Sequence, residues 1–139
     1  MELFPNNSDI KNIYYQIAVG TQKLNESISY SKTGLDYFNK GDHINAAKQF
    51  ELAIESNPLD YANFENAATS NYLNGNLEKA LNQIDIVIND LNPLNGKCEY
   101  IKALIFIKMG DPIGACPLLA ISRDSGFSQA EAIFDQYCK

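Results

Sequence analysis

The chain has 139 residues, of which 45% are apolar and 20% charged, an ordinary balance for one folded domain and too apolar for a disordered chain. Its formal net charge is −6 and Arg123 is the sole arginine. No basic stripe is therefore available to neutralise a nucleic-acid backbone, to hold an anionic membrane or to grip phosphorylated partners through paired guanidinium hydrogen bonds.

From Met1 to Gly20 the polar residues Pro5, Asn6, Asn7, Ser8, Asp9 and Lys11 interrupt any apolar run, which fits neither a signal peptide nor a membrane span. As given, the chain reads as cytoplasmic; a periplasmic or lipoprotein location is the alternative if a signal segment precedes Met1 in the intact gene product. Ile10, Ile13, Tyr14, Ile17 and Ala18 follow the i, i+3, i+4, i+7, i+8 spacing of an amphipathic helix. The predicted first helix spans 9–24, with Ser8 or Asp9 as its cap. Helices are then expected from Glu26 to Lys40, Asp42 to Ser56, Leu59 to Asn74, Leu77 to Leu91, Gly96 to Lys108 and Pro112 to Asp124. Pro112 suits a first helical turn, whereas Pro117 is expected to kink or restart the helix that holds it. A last helix from Ser128 to Tyr137 would bury Ala130, Ile133, Phe134 and Tyr137. The 16 asparagines, several at turns, are read as turn chemistry.

These helices repeat. Gly41-Asp42 returns as Gly75-Asn76 and Gly110-Asp111, and Ala46 returns as Ala80 and Ala115, in steps of 34 and then 35 residues. The order Tyr30-x-x-Thr33-Gly34-x-x-Tyr37, Ala46-x-x-x-Phe50, Pro58 resembles the tetratricopeptide repeat family, whose unit is a pair of antiparallel helices touching at small residues. A second unit keeps Phe64, Ala68, Gly75, Ala80 and Ile84, with Asn92-Pro93 one residue late; a third keeps Ala103, Gly110, Ala115 and Leu119. The resemblance implies an all-α fold, a right-handed α-solenoid of about three hairpins forming a single domain. Repeats at 26–58, 59–93 and 94–126 would follow an N-terminal lid helix at 9–24 and precede a capping helix at 127–139. The tail, from Gly114-Ala115-Cys116 to Tyr137-Cys138-Lys139, resembles the closing unit of small Bacteroidetes tetratricopeptide proteins.

Catalysis has little to work with. His43, the one histidine, is expected to be exposed at a helix start, two repeats from Cys98, Cys116 and Cys138. No CxxC or HxxxH spacing points to zinc, and no Gly-rich phosphate loop follows a strand, so no enzyme activity, metal or cofactor is expected. If the last two helices run antiparallel about Gly126, Cys116 and Cys138 approach each other. They are either bridged or two half-buried free thiols.

In the family the first helix of each hairpin lines a concave groove. Counting those positions onto this chain gives Ile28, Ser31, Lys32, Leu35, Phe38 and Asn39 from the first hairpin, Ala62, Glu65, Asn66, Thr69, Tyr72 and Leu73 from the second, and Lys97, Tyr100, Ile101, Leu104, Ile107 and Lys108 from the third. A peptide-binding set of Leu35, Asn66, Thr69, Tyr72, Lys97, Tyr100 and Ile101 follows. Family members that clamp a chaperone's C-terminal carboxylate use five polar groups; here Asn66 and Lys97 match, but Ser31, Leu35 and Ile101 replace the others, which argues against that ligand. The function implied is a scaffold or adaptor for a peptide segment of a protein partner. The alternatives are a small dedicated chaperone for a secreted client and a self-associating module in which two copies pair weakly.

Overall fold

The computed structural model describes residues 7–91 and 93–139. Seven helices follow one another: α1 (Asn7–Asn39), α2 (His43–Ser56), α3 (Tyr61–Leu73), α4 (Leu77–Ile86), α5 (Lys97–Lys108), α6 (Pro112–Asp124) and α7 (Gln129–Cys138). Among the described residues there is no strand. Each helix packs mainly on the next, and α3 also meets α5, so consecutive hairpins stack into an all-α helical-repeat solenoid.

The recurring glycines set the turns. Gly41, Gly75, Gly110 and Gly126 all have φ between 79° and 93°, a left-handed conformation that costs glycine little. Behind each, the same hydrogen bond closes the helix, as in Asp42 N–H to the Tyr37 carbonyl at 2.9 Å and Asp111 N–H to that of Phe106 at 2.8 Å. The next helix starts on a side-chain cap where an aspartate is present: Asp42 accepts from Asn45 N–H, and Asp111 from Gly114 N–H. Asp60 likewise caps α3, which begins at Tyr61 and leaves Leu59 exposed outside the helix.

The expected break between residues 24 and 26 does not exist. One 33-residue helix runs unbroken from Asn7, ahead of the expected cap at Ser8 or Asp9, through what was read as the lid and the first repeat helix. A continuous helix cannot fold back over its own hairpin, and residues 20–26 are all exposed. Of the expected apolar face of the lid, Ile17 is 59% exposed, and the side chains of Ile10, Ile13, Tyr14 and Ala18 lie outside the described residues.

The expected helix from Leu77 to Leu91 ends instead as a π turn over Val87–Leu91. A π turn accommodates one more residue than an α turn, and it falls in the repeat that is one residue longer, so here the chain absorbs the 35th position. Pro117 does not restart its helix, since α6 continues from Pro112 to Asp124. The carbonyl it leaves without an N–H belongs to Ile113, which is exposed to water. His43 is half-buried rather than exposed, its ring set edge-on against Phe38 at 4.9 Å. Tyr137 is 41% exposed and so leaves the buried face of α7 to Ala130, Ile133 and Phe134.

The core is a series of interfaces rather than one centre. Ala46, Phe50 and Ala67 fill the space between the first hairpins; Ala68, Ala80, Ile84, Cys98 and Ile105 fill the next; and Ala103, Ala115, Leu119 and Ala130 join the third hairpin to α7. Buried polar groups pin each interface. Ser27 Oγ donates to the Ala53 carbonyl at 3.0 Å, Asn63 amide to Ser27 Oγ at 3.3 Å, and Ser31 Oγ to Asn63 Oδ1. Further along, Asn71 donates to Gln83 at 2.8 Å, Cys98 Sγ to Glu65 Oε2 at 3.3 Å, and Ser122 Oγ to the Gly96 carbonyl at 2.7 Å. Cys116 and Cys138 are paired as a disulfide, with Cα atoms 5.7 Å apart, while Cys98 is a buried free thiol.

Three outcomes test this description. Ala80→Leu overpacks a fully buried helix contact and should cost roughly 1 to 3 kcal/mol in chemical denaturation; an unchanged midpoint would show that the contact is loose. Unfolded, non-reduced protein purified under oxidising conditions should titrate with one thiol, that of Cys98, and a count of three would refute the pairing. Burial pushes the Glu65 carboxyl above its usual 4.5, partly offset by the Cys98 hydrogen bond and the Lys97 charge. Because the folded state then holds this proton more tightly, its contribution to stability is present below pH 4.5 and is lost as pH rises through the folded value. Glu65→Gln should therefore gain stability relative to the wild type between pH 4.5 and neutrality, and a difference constant with pH would contradict the shift.

Candidate functional site

Glycine also shapes the wall of an apolar pocket between α3 and α5. Gly96 starts α5 with φ 76°, and a Cβ there would sit 2.8 Å from the Ser122 carbonyl oxygen. Only a bare backbone lets α5 lie this close to the end of α6. The approach carries Phe127, just past α6, onto Tyr100 of α5, with ring centroids 5.0 Å apart.

The resulting pocket has a volume of about 280 Å³. Thr69, Tyr72 and Leu73 of α3 form one side, Lys97, Tyr100, Ile101 and Leu104 of α5 the floor and opposite side, and Phe127 with Gln129 the end. Tyr72 is held in place by Lys108, whose ammonium donates to the Tyr72 carbonyl at 3.0 Å and sits 4.6 Å from its ring centroid. Burial, with a smaller contribution from neighbouring Tyr72, raises the Tyr100 hydroxyl above its ordinary value. The Tyr100 phenol is therefore a neutral hydrogen-bonding group on an apolar wall at neutral pH. Thr69 spends its hydroxyl on the Glu65 carbonyl at 2.8 Å and offers mainly its methyl group.

Five of the seven residues picked out in the sequence thus meet in one place: Thr69, Tyr72, Lys97, Tyr100 and Ile101. Ile101 is only 6% exposed and is shared with the core, so it shapes the floor more than it offers contact area. Leu35 lines a separate, more open hollow of about 450 Å³ together with Leu24, Ile28, Ser31, Lys32 and Asp60. Asn66 is half-buried on α3 and borders neither hollow. Of the wider groove set, Glu65 is buried against Cys98 and Ile107 packs toward α6 and α7, while Leu104 does line the pocket. Phe127 and Gln129 were missed, since counting family positions along first helices does not reach a residue that follows a second helix.

Among the described residues no three His, Cys, Asp or Glu side chains group as metal ligands, and no helix is long and apolar enough to cross a membrane. The Cys98 thiol is pushed well above its ordinary range by burial and by the adjacent Glu65 carboxylate, which leaves it a poor nucleophile.

No protein-family model and no curated protein matches the sequence. Solved structures do match. The TPR2AB domain of yeast Sti1, in a pHSP90 complex, superposes with a TM-score of 0.74 at 20% sequence identity. The alignment covers 94% of this chain and 54% of that one, so this chain spans about half the length of the structure it resembles. At such identity the likeness speaks for architecture, and with the hairpin order, the small-residue contacts and the repeating turns it establishes a tetratricopeptide-type helical-repeat fold.

Proposed function

We infer that the chain is a non-catalytic interaction module that binds a peptide segment of a protein partner in the groove formed by α1, α3 and α5. The observation that carries this reading is the pocket between Tyr72 and Tyr100. It is apolar, half-enclosed and about 280 Å³ in volume, a size suited to one large apolar side chain. Two aromatic walls supply contact area at low entropic cost, and Lys97 at the rim steers an acidic group of the guest. The neighbour's complex with pHSP90 shows that this architecture holds a protein-derived ligand in that other protein. A carboxylate clamp of that general kind is not favoured here, because Leu35 and Ile101 bring no hydrogen bond to clamp positions and Ser31 already donates to Asn63.

With a partner isolated, Tyr72→Ala or Tyr100→Ala should weaken binding by more than about 1 kcal/mol in titration calorimetry while the helical circular dichroism is retained. Glu55 and Glu78, exposed on α2 and α4, should tolerate alanine without effect. Sensitivity at Glu55 and Glu78 with silent tyrosines would move the interaction to the convex face and overturn the groove reading.

A further inference from the structure

The last helix has little to hold it. α7 has 10 residues, too few to stay helical alone in water, so its state depends on what it packs against. It packs chiefly on α6, whereas the helices inside the stack have neighbours on both sides. Of its side chains only Ala130 is fully buried; Ile133, Phe134 and Cys138 are partly buried beside Ala103, Ala115 and Leu119. Arg123 of α6 adds surface contacts, its guanidinium 4.6 Å from the Phe134 ring centroid and 4.0 Å from Glu131. The remaining hold is covalent. Cys138, the last residue of α7, is bonded to Cys116 near the start of α6. The α6–α7 hairpin is thus closed at one end by the Gly126 turn and at the other by the bridge.

The same hairpin carries the end wall of the tyrosine pocket. Phe127 and Gln129 follow Gly126, whose φ of 93° makes it the pivot of the turn. The Phe127 carbonyl accepts from Ala130 N–H at 3.1 Å, which ties Phe127 to the first turn of α7 while its ring stands against Tyr100. A helix this short has no part able to persist without the rest, so losing the seam with α6 frees it from Cys138 back to Gly126. We propose that the Cys116–Cys138 bridge is a redox latch on the pocket: bridged, it holds α7 down and Phe127 against Tyr100; reduced, it releases both and the pocket loses its end wall. The consequence for a guest rests on the groove reading above. In the opening step a thiolate of a cellular dithiol attacks one sulfur of the bridge and the other leaves as a thiolate that takes up a proton. The reductant's second thiol then displaces the mixed disulfide, leaving two protein thiols and an oxidised reductant. Both bridge cysteines are half-buried and within reach of such a reagent. Cys98 is 1% exposed, and burial with the Glu65 carboxylate keeps its thiol protonated, so it takes no part in the exchange.

Hydrogen exchange and proton NMR of the full chain, bridged and then reduced with dithiothreitol, read the latch with no guest present, so the result stands apart from whether a peptide binds the groove. Reduction should lower amide protection across residues 129–138 by more than about tenfold and abolish the Overhauser contact between the Phe127 and Tyr100 rings, with α2, α3 and α4 unchanged. Reoxidation should restore both. Cys116→Ala with Cys138→Ala should match the reduced chain whether or not reductant is added. Phe127→Ala with the bridge intact should keep α7 protected, which places the latch in the bridge and not in the ring contact. In glutathione buffers spanning cellular thiol-to-disulfide ratios, the bridged fraction should pass from nearly all to nearly none. An α7 equally protected without the bridge, a Phe127 that stays on Tyr100 when α7 opens, an α7 that opens in Phe127→Ala, or a bridge that no glutathione buffer opens would overturn the proposal.

Discussion

The close approach of helices at small residues is the constraint on which the rest of the structure depends. A Cβ at Gly34 would lie 2.7 Å from the ring of Phe50, which is itself fully buried and has nowhere to retreat. The same economy recurs where Ala46, Ala80, Ala103 and Ala115 are buried without remaining exposure. With backbones this close, the larger side chains are driven outward to the spaces between hairpins, where Phe50, Ile84, Ile105 and Leu119 lock one hairpin to the next. The stacking follows, and with it a surface on which α3 and α5 stand side by side and share a pocket.

Close packing alone would allow neighbouring helices to slide, because alanine faces are nearly featureless. The buried polar pins remove that freedom. Asn63, Asn71, Ser27 and Ser122 are almost entirely enclosed, and each has its hydrogen bond only in the observed register. Displacement by a single residue would leave a buried amide or hydroxyl unpaired, at a cost of about 1–3 kcal/mol each. Glu65 and Cys98 are the less comfortable member of this series. The carboxyl is held up in pKa by burial, and its thiol donor is a weak one. That pair joins α3 to α5, the two helices that carry Tyr72 and Tyr100.

The repeat was legible in the sequence because its determinants are local. Glycine at a left-handed turn, a small residue at each crossing and an aspartate cap need no knowledge of distant contacts. The continuity of α1 was not legible. Nothing between Leu24 and Ser27 forces a break, although the repeat motif begins there; a motif boundary need not be a helix boundary. His43 was misplaced because exposure at a helix start depends on what precedes the turn, here Phe38. The pocket was partly legible: α3 and α5 contribute at family positions, whereas Phe127 arrives through the Gly96 approach, a tertiary contact with no periodic signature. Thr69, Tyr72 and Tyr100 therefore came from the repeat, and the wall that encloses them did not.

Hydrogen exchange on a Gly34→Leu variant tests most directly whether the molecule is a stack held by neighbour contacts. If each hairpin is coupled only to the next, forcing α1 from α2 should strip protection from residues 26–56 first and most, with α5, α6 and α7 keeping theirs. Equal loss of protection in all seven helices would mean one indivisible core, and would contradict the account.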